Sequence, residues 1–174
     1  MNTLFSHVCV VTMDERMSVW TDAFVGVTDG KISYLSKHAP EEKPAQIIDA
    51  TGMVLMPGLI NCHTHLPMQL LRGYADDLKL QEWLNDYIFP REDRLDGRCV
   101  RAATTLAVAE CLKFGVTSVS DMYYFCDDIC DVIAKSGMKA NISRGTSMFL
   151  GDDFDFEKFP ACQELVALKN KWHN

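Results

Sequence analysis

Positive charge is in short supply. Seventeen lysines and arginines against 24 aspartates and glutamates leave a formal charge of −7. Neutralising phosphates needs a basic face, so non-specific nucleic-acid binding is not expected. Long apolar runs are also missing. None approaches the ~20 residues of a membrane-spanning helix. The start, MNTLFSHVCVVTMDER, has no basic stretch ahead of an apolar core, so no secretory signal is expected. There is no low-complexity tract and no internal repeat. The seven cysteines follow no framework of spacings and form no CxxC pair. Without an export signal they read as reduced intracellular thiols, which suggests a cytoplasmic protein. Cys126 and Cys130, four apart on one helix face, read as small buried hydrophobes.

Two patterns of hydrophobicity divide the 174 residues. Residues 3–57 are rich in Val, Ile, Phe and Tyr and are broken by Asp29-Gly30 and Thr51-Gly52, which predicts strands joined by turns. Asp29-Gly30 between two β-type runs is a hairpin signal. After Pro57 strands alternate with helices. LINCHTH is a short apolar strand. LQEWLNDYIF has Leu80, Trp83, Leu84 and Tyr87 at helical spacing. Asp96 can cap a helix whose inner face carries Val100, Ala103, Ala107, Cys111 and Phe114 and which stops at Gly115. VTSVSDM and MKANISR are strands, and DDICDVIAKS and PACQELVALKNKW are helices. Three alternations of strand and helix imply parallel strands with crossover helices.

LINCHTH also carries two of the five histidines. On a strand, residues i and i+2 point to one face, so His63 and His65 project together. They sit at the C-terminal end of the strand, where α/β folds place ligands and chemistry. Imidazole is a good zinc ligand, and one strand can offer two convergent donors to one ion. A hydrogen-bonded pair of strand-end histidines is the other reading. Glu92, in REDR, reads by itself as a member of a solvated charge cluster. Arg144 reads either as a strand-end charge or as an anion contact. Asp76-Asp77 after Arg72 suggests a structural salt-bridged turn. Asp121 ends its strand and could point into the mouth of a barrel.

The stretch VLMPGLINCHTHLPMQLLRGYADDLKLQEWLNDYIFPRED, with AVAECLKFGVTSVSDMYY and ISRG, closely resembles the amidohydrolase superfamily. Within it the likeness is to 5-methylthioadenosine/S-adenosylhomocysteine deaminases and chlorohydrolase-like relatives. The resemblance implies an α/β fold: strands of a small β-sandwich in residues 1–57, then in residues 58–174 the first three βα units of a (β/α)8 metal-dependent hydrolase barrel. A whole barrel needs about 250 residues, so the barrel here is incomplete and the chain reads as an N-terminal portion. The resemblance implies a divalent metal, usually zinc, held first by His63 and His65. It matches Glu92 to a glutamate that contacts ribose, and a carboxylate can accept both hydrogen bonds of a vicinal diol. It matches Arg144 to a substrate-contacting arginine, suited to a carboxylate-bearing tail.

The implied reaction is hydrolytic deamination of an adenosine-type nucleoside, S-adenosylhomocysteine or 5-methylthioadenosine. Guanine-type deamination, triazine dechlorination and a non-catalytic binding module are the alternatives. The cytidine-deaminase signature, H-x-E with P-C-x-x-C, is absent. The partner expected is a small-molecule substrate, with no nucleic acid and no membrane; a homo-oligomeric whole protein is compatible. The family's further ligands and proton-relay residues come from later barrel strands. The one histidine after His65 is His173, on the final helix, so no catalytic residue is assigned in this chain and by itself it is expected to be inactive.

Overall fold

A computed structural model describes residues 1–146 and 153–173. The chain divides into two compact units, Met1–Pro57 and Gly58–Asn174. In the first, β1 (Thr3–Val11) is the central strand. β2 (Val19–Thr28) pairs with it antiparallel, and β3 (Lys31–Ser36) extends the sheet beyond β2. On its other side β4 (Gln46–Asp49) and β5 (Val54–Leu55) run parallel to successive stretches of β1. Asp29 and Gly30 both have positive φ, 50° and 75°, as a two-residue type I′ turn requires. Leu4, Ser6, Val8 and Val10 are buried with period two along β1, and Val8, Val10, Ala23, Val25 and Ala50 form the core.

The second unit contains a parallel sheet in the order β6 (Leu59–Thr64), β7 (Val116–Tyr123), β8 (Lys139–Arg144). From β6 the chain enters a 3-10 turn (Leu66–Leu71). It then passes through a helical stretch of α1 (Leu80–Glu82), a π turn (Trp83–Ile88) and α2 (Phe89–Glu92), and runs along α3 (Gly97–Lys113) to β7. α4 (Cys126–Ser136) joins β7 to β8, and α5 (Pro160–Trp172) comes after β8. Asp96 caps α3, its side chain accepting the Cys99 N–H at 2.7 Å. Val100, Val108, Val119 and Ile129 meet in the core between the sheet and its helices.

Two helical expectations need correcting. LQEWLNDYIF is not a regular amphipathic helix. Pro90 has no N–H, so the carbonyl one turn before it loses its usual donor, and the helix widens: the Phe89 N–H reaches back to the Leu84 carbonyl. The change of pitch leaves Leu80 exposed and makes Ile88 the buried residue. In α3, Val100, Ala103 and Ala107 are buried as expected, but Phe114 is 70% exposed. It falls after the last helical turn, where the backbone has left the α conformation.

Cys126 and Cys130 are buried and unpaired, and burial pushes both thiols up to about 11. They behave as small hydrophobes packed beside Leu168. No helix among the described residues is long and apolar enough to cross a membrane.

These burials make a paired prediction. Ile129 is wholly buried in α4, so Ile129→Ala should cost about 2–5 kcal/mol. Phe114→Ala should change stability by less than about 0.5 kcal/mol. Chemical denaturation of the two variants checks both, and equal effects would show that the helix faces are assigned wrongly.

Candidate metal centre and substrate cavity

The strand that carries His63 and His65 pairs with β7 from its first residue, with irregularities in the ladder after Leu59 and between Asn61 and Thr64. Gly58 precedes it because a Cβ there would collide with the Thr117 side chain. Leu59 then pairs with Val116, and Thr64 with Asp121. At the end of β6 the two imidazoles converge, with Nε2 of His63 3.4 Å from Nε2 of His65. Two nitrogens each about 2.0–2.1 Å from one tetrahedral ion lie roughly 3.3–3.4 Å apart, so this separation suits a shared metal.

The His65 ring is oriented by the neighbouring strand. Its Nδ1 lies 2.7 Å from the Met122 carbonyl oxygen. A carbonyl only accepts, so Nδ1 carries the hydrogen and Nε2 presents its lone pair. Metal-binding histidines commonly have their second nitrogen tied down in this way. The donor set therefore fits a zinc ion as far as it goes. Among the described residues no group of three His, Cys, Asp or Glu side chains could enclose an ion.

Asp121 does not point into an open mouth. Burial along β7 alternates, and Asp121 shares the covered face with Val119 and Tyr123. Its Oδ1 accepts the Leu66 N–H at 2.7 Å, while Oδ2 has no partner among the described residues. Burial pushes its carboxyl up to about 6, against the opposing pull of the Leu66 N–H and the nearby His65. Spacing gave no sign of this contact, which depends on the pairing of β6 with β7.

Glu92 is half-buried while Arg91, Asp93 and Arg94 around it are exposed. Its Oε1 accepts the Tyr123 hydroxyl at 2.6 Å. Burial first, and then this carboxylate, push the Tyr123 phenol far above its usual range, so it stays a neutral donor. Arg144 lies at the end of β8. Its Nε donates to Glu164 at 2.6 Å, and its guanidinium stacks 4.6 Å from the Tyr124 ring centre. Sequence reasoning missed Tyr123, Tyr124 and Glu164.

His65, Glu92 and Arg144 share the wall of a cavity of about 520 Å³ with Met68, Trp83 and Tyr124. His63 is not part of that wall. A second cleft, of about 910 Å³, shares Glu92, Tyr124 and Arg144 with the first. The π turn contributes Trp83, Leu84 and Ile88 to the smaller cavity, so the widened helix forms one of its apolar sides.

Arg72 pairs with neither Asp76 nor Asp77: it donates to Gln69 within its own turn and forms its salt bridge elsewhere. It reaches Glu110 on α3, with Nη1 2.8 Å from Oε1, and Gln69 donates to the same carboxylate at 2.7 Å. The turn that follows His65 is thus tethered to α3 by one carboxylate, and the turn expected from Arg72 with Asp76-Asp77 is replaced by this longer contact.

A profile of the amidohydrolase family matches residues 54–166. A 5'-deoxyadenosine deaminase of Methanosarcina acetivorans is 40% identical over 142 residues, 82% of this chain and 33% of that protein. A 5-methylthioadenosine/S-adenosylhomocysteine deaminase of Thermoanaerobacter pseudethanolicus is 33% identical over 174 residues, 100% of this chain and 40% of that protein. The chain thus spans about a third to two-fifths of these relatives. Among solved structures, a zinc-bound adenosine deaminase from Xanthomonas campestris superposes with a TM-score of 0.73 at 36% identity, over 80% of this chain and 33% of that one. A zinc-bound atrazine chlorohydrolase from Arthrobacter aurescens superposes with a TM-score of 0.85 at 21% identity, over 99% of this chain and 43% of that one, and shares the fold.

The tether behind His65 has a pH signature. Arg72, aided by Gln69, holds the Glu110 carboxyl well below its ordinary 4.5, at about 2. A carboxyl lowered in the folded state adds stability that is full above its unfolded value and is lost as pH falls through its folded value. Stability should therefore decline from about pH 4.5 towards about 2, and Glu110→Gln should remove this part of the decline. Thermal unfolding at stepped pH measures it; an unchanged acid limb in the variant would mean that the tether contributes nothing.

Proposed function

Because this chain belongs to the amidohydrolase family, we propose that it forms part of a zinc-dependent hydrolase that deaminates an adenosine-type nucleoside. One observation carries the reading: the Nε2 atoms of His63 and His65 converge, and the His65 ring, held at Nδ1 by a backbone carbonyl, lines a cavity together with a carboxylate and a guanidinium. Residues 1–57 are read as strands of a small β-sandwich and residues 58–174 as the first three βα units of a (β/α)8 barrel. The parallel order β6-β7-β8, with both histidines at the C-terminal end of the first strand, supports this. The protein is read as cytoplasmic.

His63 and His65 would hold the ion. When bound, zinc supplies Lewis-acid activation of water near neutral pH. A catalytic zinc uses three protein ligands, so at least one further donor is required beyond these two. Water adds to C6 of the adenine ring, the C6–N bond breaks, and the amino group leaves as ammonia. Glu92 accepts hydrogen bonds from the ribose hydroxyls. The Tyr123 hydroxyl fixes one Glu92 oxygen and so orients the carboxylate. Arg144 contacts the 5' substituent. It faces that group with Glu164 already at its Nε, so a carboxylate tail meets an ion pair and not a lone cation. Trp83, Leu84 and Tyr124 give the base and sugar an apolar lining that excludes water.

The test is ammonia release by the whole zinc-loaded protein. S-adenosylhomocysteine, 5-methylthioadenosine or 5'-deoxyadenosine should yield the inosine-type product, guanine should not, and Glu92→Ala should raise KM for the nucleoside more than it lowers kcat. Release from guanine but from none of the nucleosides would overturn the assignment.

A further inference from the structure

Among the described residues Asp121 is the one buried acid, and the proposed reaction leaves it without a task. It is 1% exposed, between Val119 and Tyr123 on the covered face of β7. A carboxylate is costly there, and half of its hydrogen-bonding capacity is idle: Oδ2 has no partner among the described residues. An amide or a hydroxyl could accept the Leu66 N–H without that burden. The expense is informative because of what lies next to it. Oδ1 holds the peptide N–H that directly follows His65, and the carbonyl of the next residue, Met122, holds the His65 ring at Nδ1. Two consecutive residues of β7 therefore grip His65 from both ends, one by its backbone and one by its side chain. The grip turns Nε2 of His65 towards Nε2 of His63.

We propose that Asp121 is the positioning residue for His65: it clamps the peptide that carries the ring, and its buried negative charge favours a cation at the paired Nε2 atoms. The inference rests on the reading of His63 and His65 as metal ligands. Asp121 does not touch the ion. It acts through Leu66 and His65, and it explains why an acid occupies a position whose neighbours along the strand face are Val and Tyr.

The two parts of the claim separate in two variants. Asp121→Asn keeps an oxygen for the Leu66 N–H and loses the charge. Asp121→Leu, with the same number of side-chain heavy atoms, loses both and leaves the Leu66 N–H without its acceptor. Two readouts are taken on the protein. Long-range 1H–15N correlation at mildly alkaline pH, without metal, reports which nitrogen of His65 carries the hydrogen. Titration with zinc reports affinity.

In the unsubstituted protein His65 should be in the Nδ1–H form. Asp121→Asn should keep that form and bind zinc more weakly, and Asp121→Leu should mix the two forms and bind about 10–100-fold more weakly. A merely structural acid would lower stability in the variants without moving the tautomer. If Asp121→Leu keeps the Nδ1–H form, or if Asp121→Asn binds zinc as tightly as the unsubstituted protein, the proposal is wrong. Should Asp121→Leu not fold, the Asp121→Asn titration decides alone. Zinc that binds equally well after His63→Ala and His65→Ala contradicts the metal-ligand reading itself, and the metal-free tautomer measurement keeps that failure distinct.

Discussion

A single hydrogen bond, from the His65 ring to the Met122 carbonyl, ties the chemistry of this chain to its fold. The bond exists only because β6 and β7 lie parallel in a register that sets Thr64 against Asp121. Gly58 lets the chain pass close to Thr117 at the start of the strand, and α3 returns the chain to begin β7 alongside it. Shift the pairing by one residue and every side chain changes face. Asp121 would leave the core, the Met122 carbonyl would turn away, and the His65 ring would lose its orientation. The packing of Val100, Val119 and Ile129 between sheet and helices is therefore also what holds an imidazole in one tautomer.

Much of the fold was legible from local chemistry. The Asp29-Gly30 hairpin, the Asp96 cap and the burial of Val100, Ala103 and Ala107 follow from turn preferences, capping and helical period. The strand-helix alternation after Pro57 appears as a parallel three-stranded sheet. The stretch around Trp83 was less legible. Its apolar spacing indicates a regular helix, but Pro90 removes a donor and the turn ahead of it opens to a π geometry. Period alone does not register a missing N–H several residues downstream. Phe114 was misplaced for a similar reason, since the helical pattern was read one residue past the point where the backbone leaves the helix.

The site was half legible. The i, i+2 spacing of His63 and His65 predicts that they share a face, and their Nε2 atoms lie 3.4 Å apart. What could not be read were contacts between distant strands. Tyr123 with Glu92 spans 31 residues, and Leu66 with Asp121 spans 55. Residue spacing within a segment has no term for such pairs; they appear once β6, β7 and the helical connection are set side by side. The same holds for Arg144. Its position at a strand end was visible, but its pairing with Glu164 arises because α5 packs against β8. This pairing alters the chemistry on offer, because a guanidinium that already carries a carboxylate meets an anion differently from an unpaired one.

The central claim is that the Nε2 atoms of His63 and His65 bind one metal ion together. X-ray absorption spectroscopy of the zinc-loaded protein tests it most directly. The account predicts two imidazole nitrogens in the first shell at about 2.0–2.1 Å, with the imidazole scattering reduced by one ring in His63→Ala and in His65→Ala. A zinc shell built from oxygen or sulfur alone, or one unchanged by both substitutions, would contradict it.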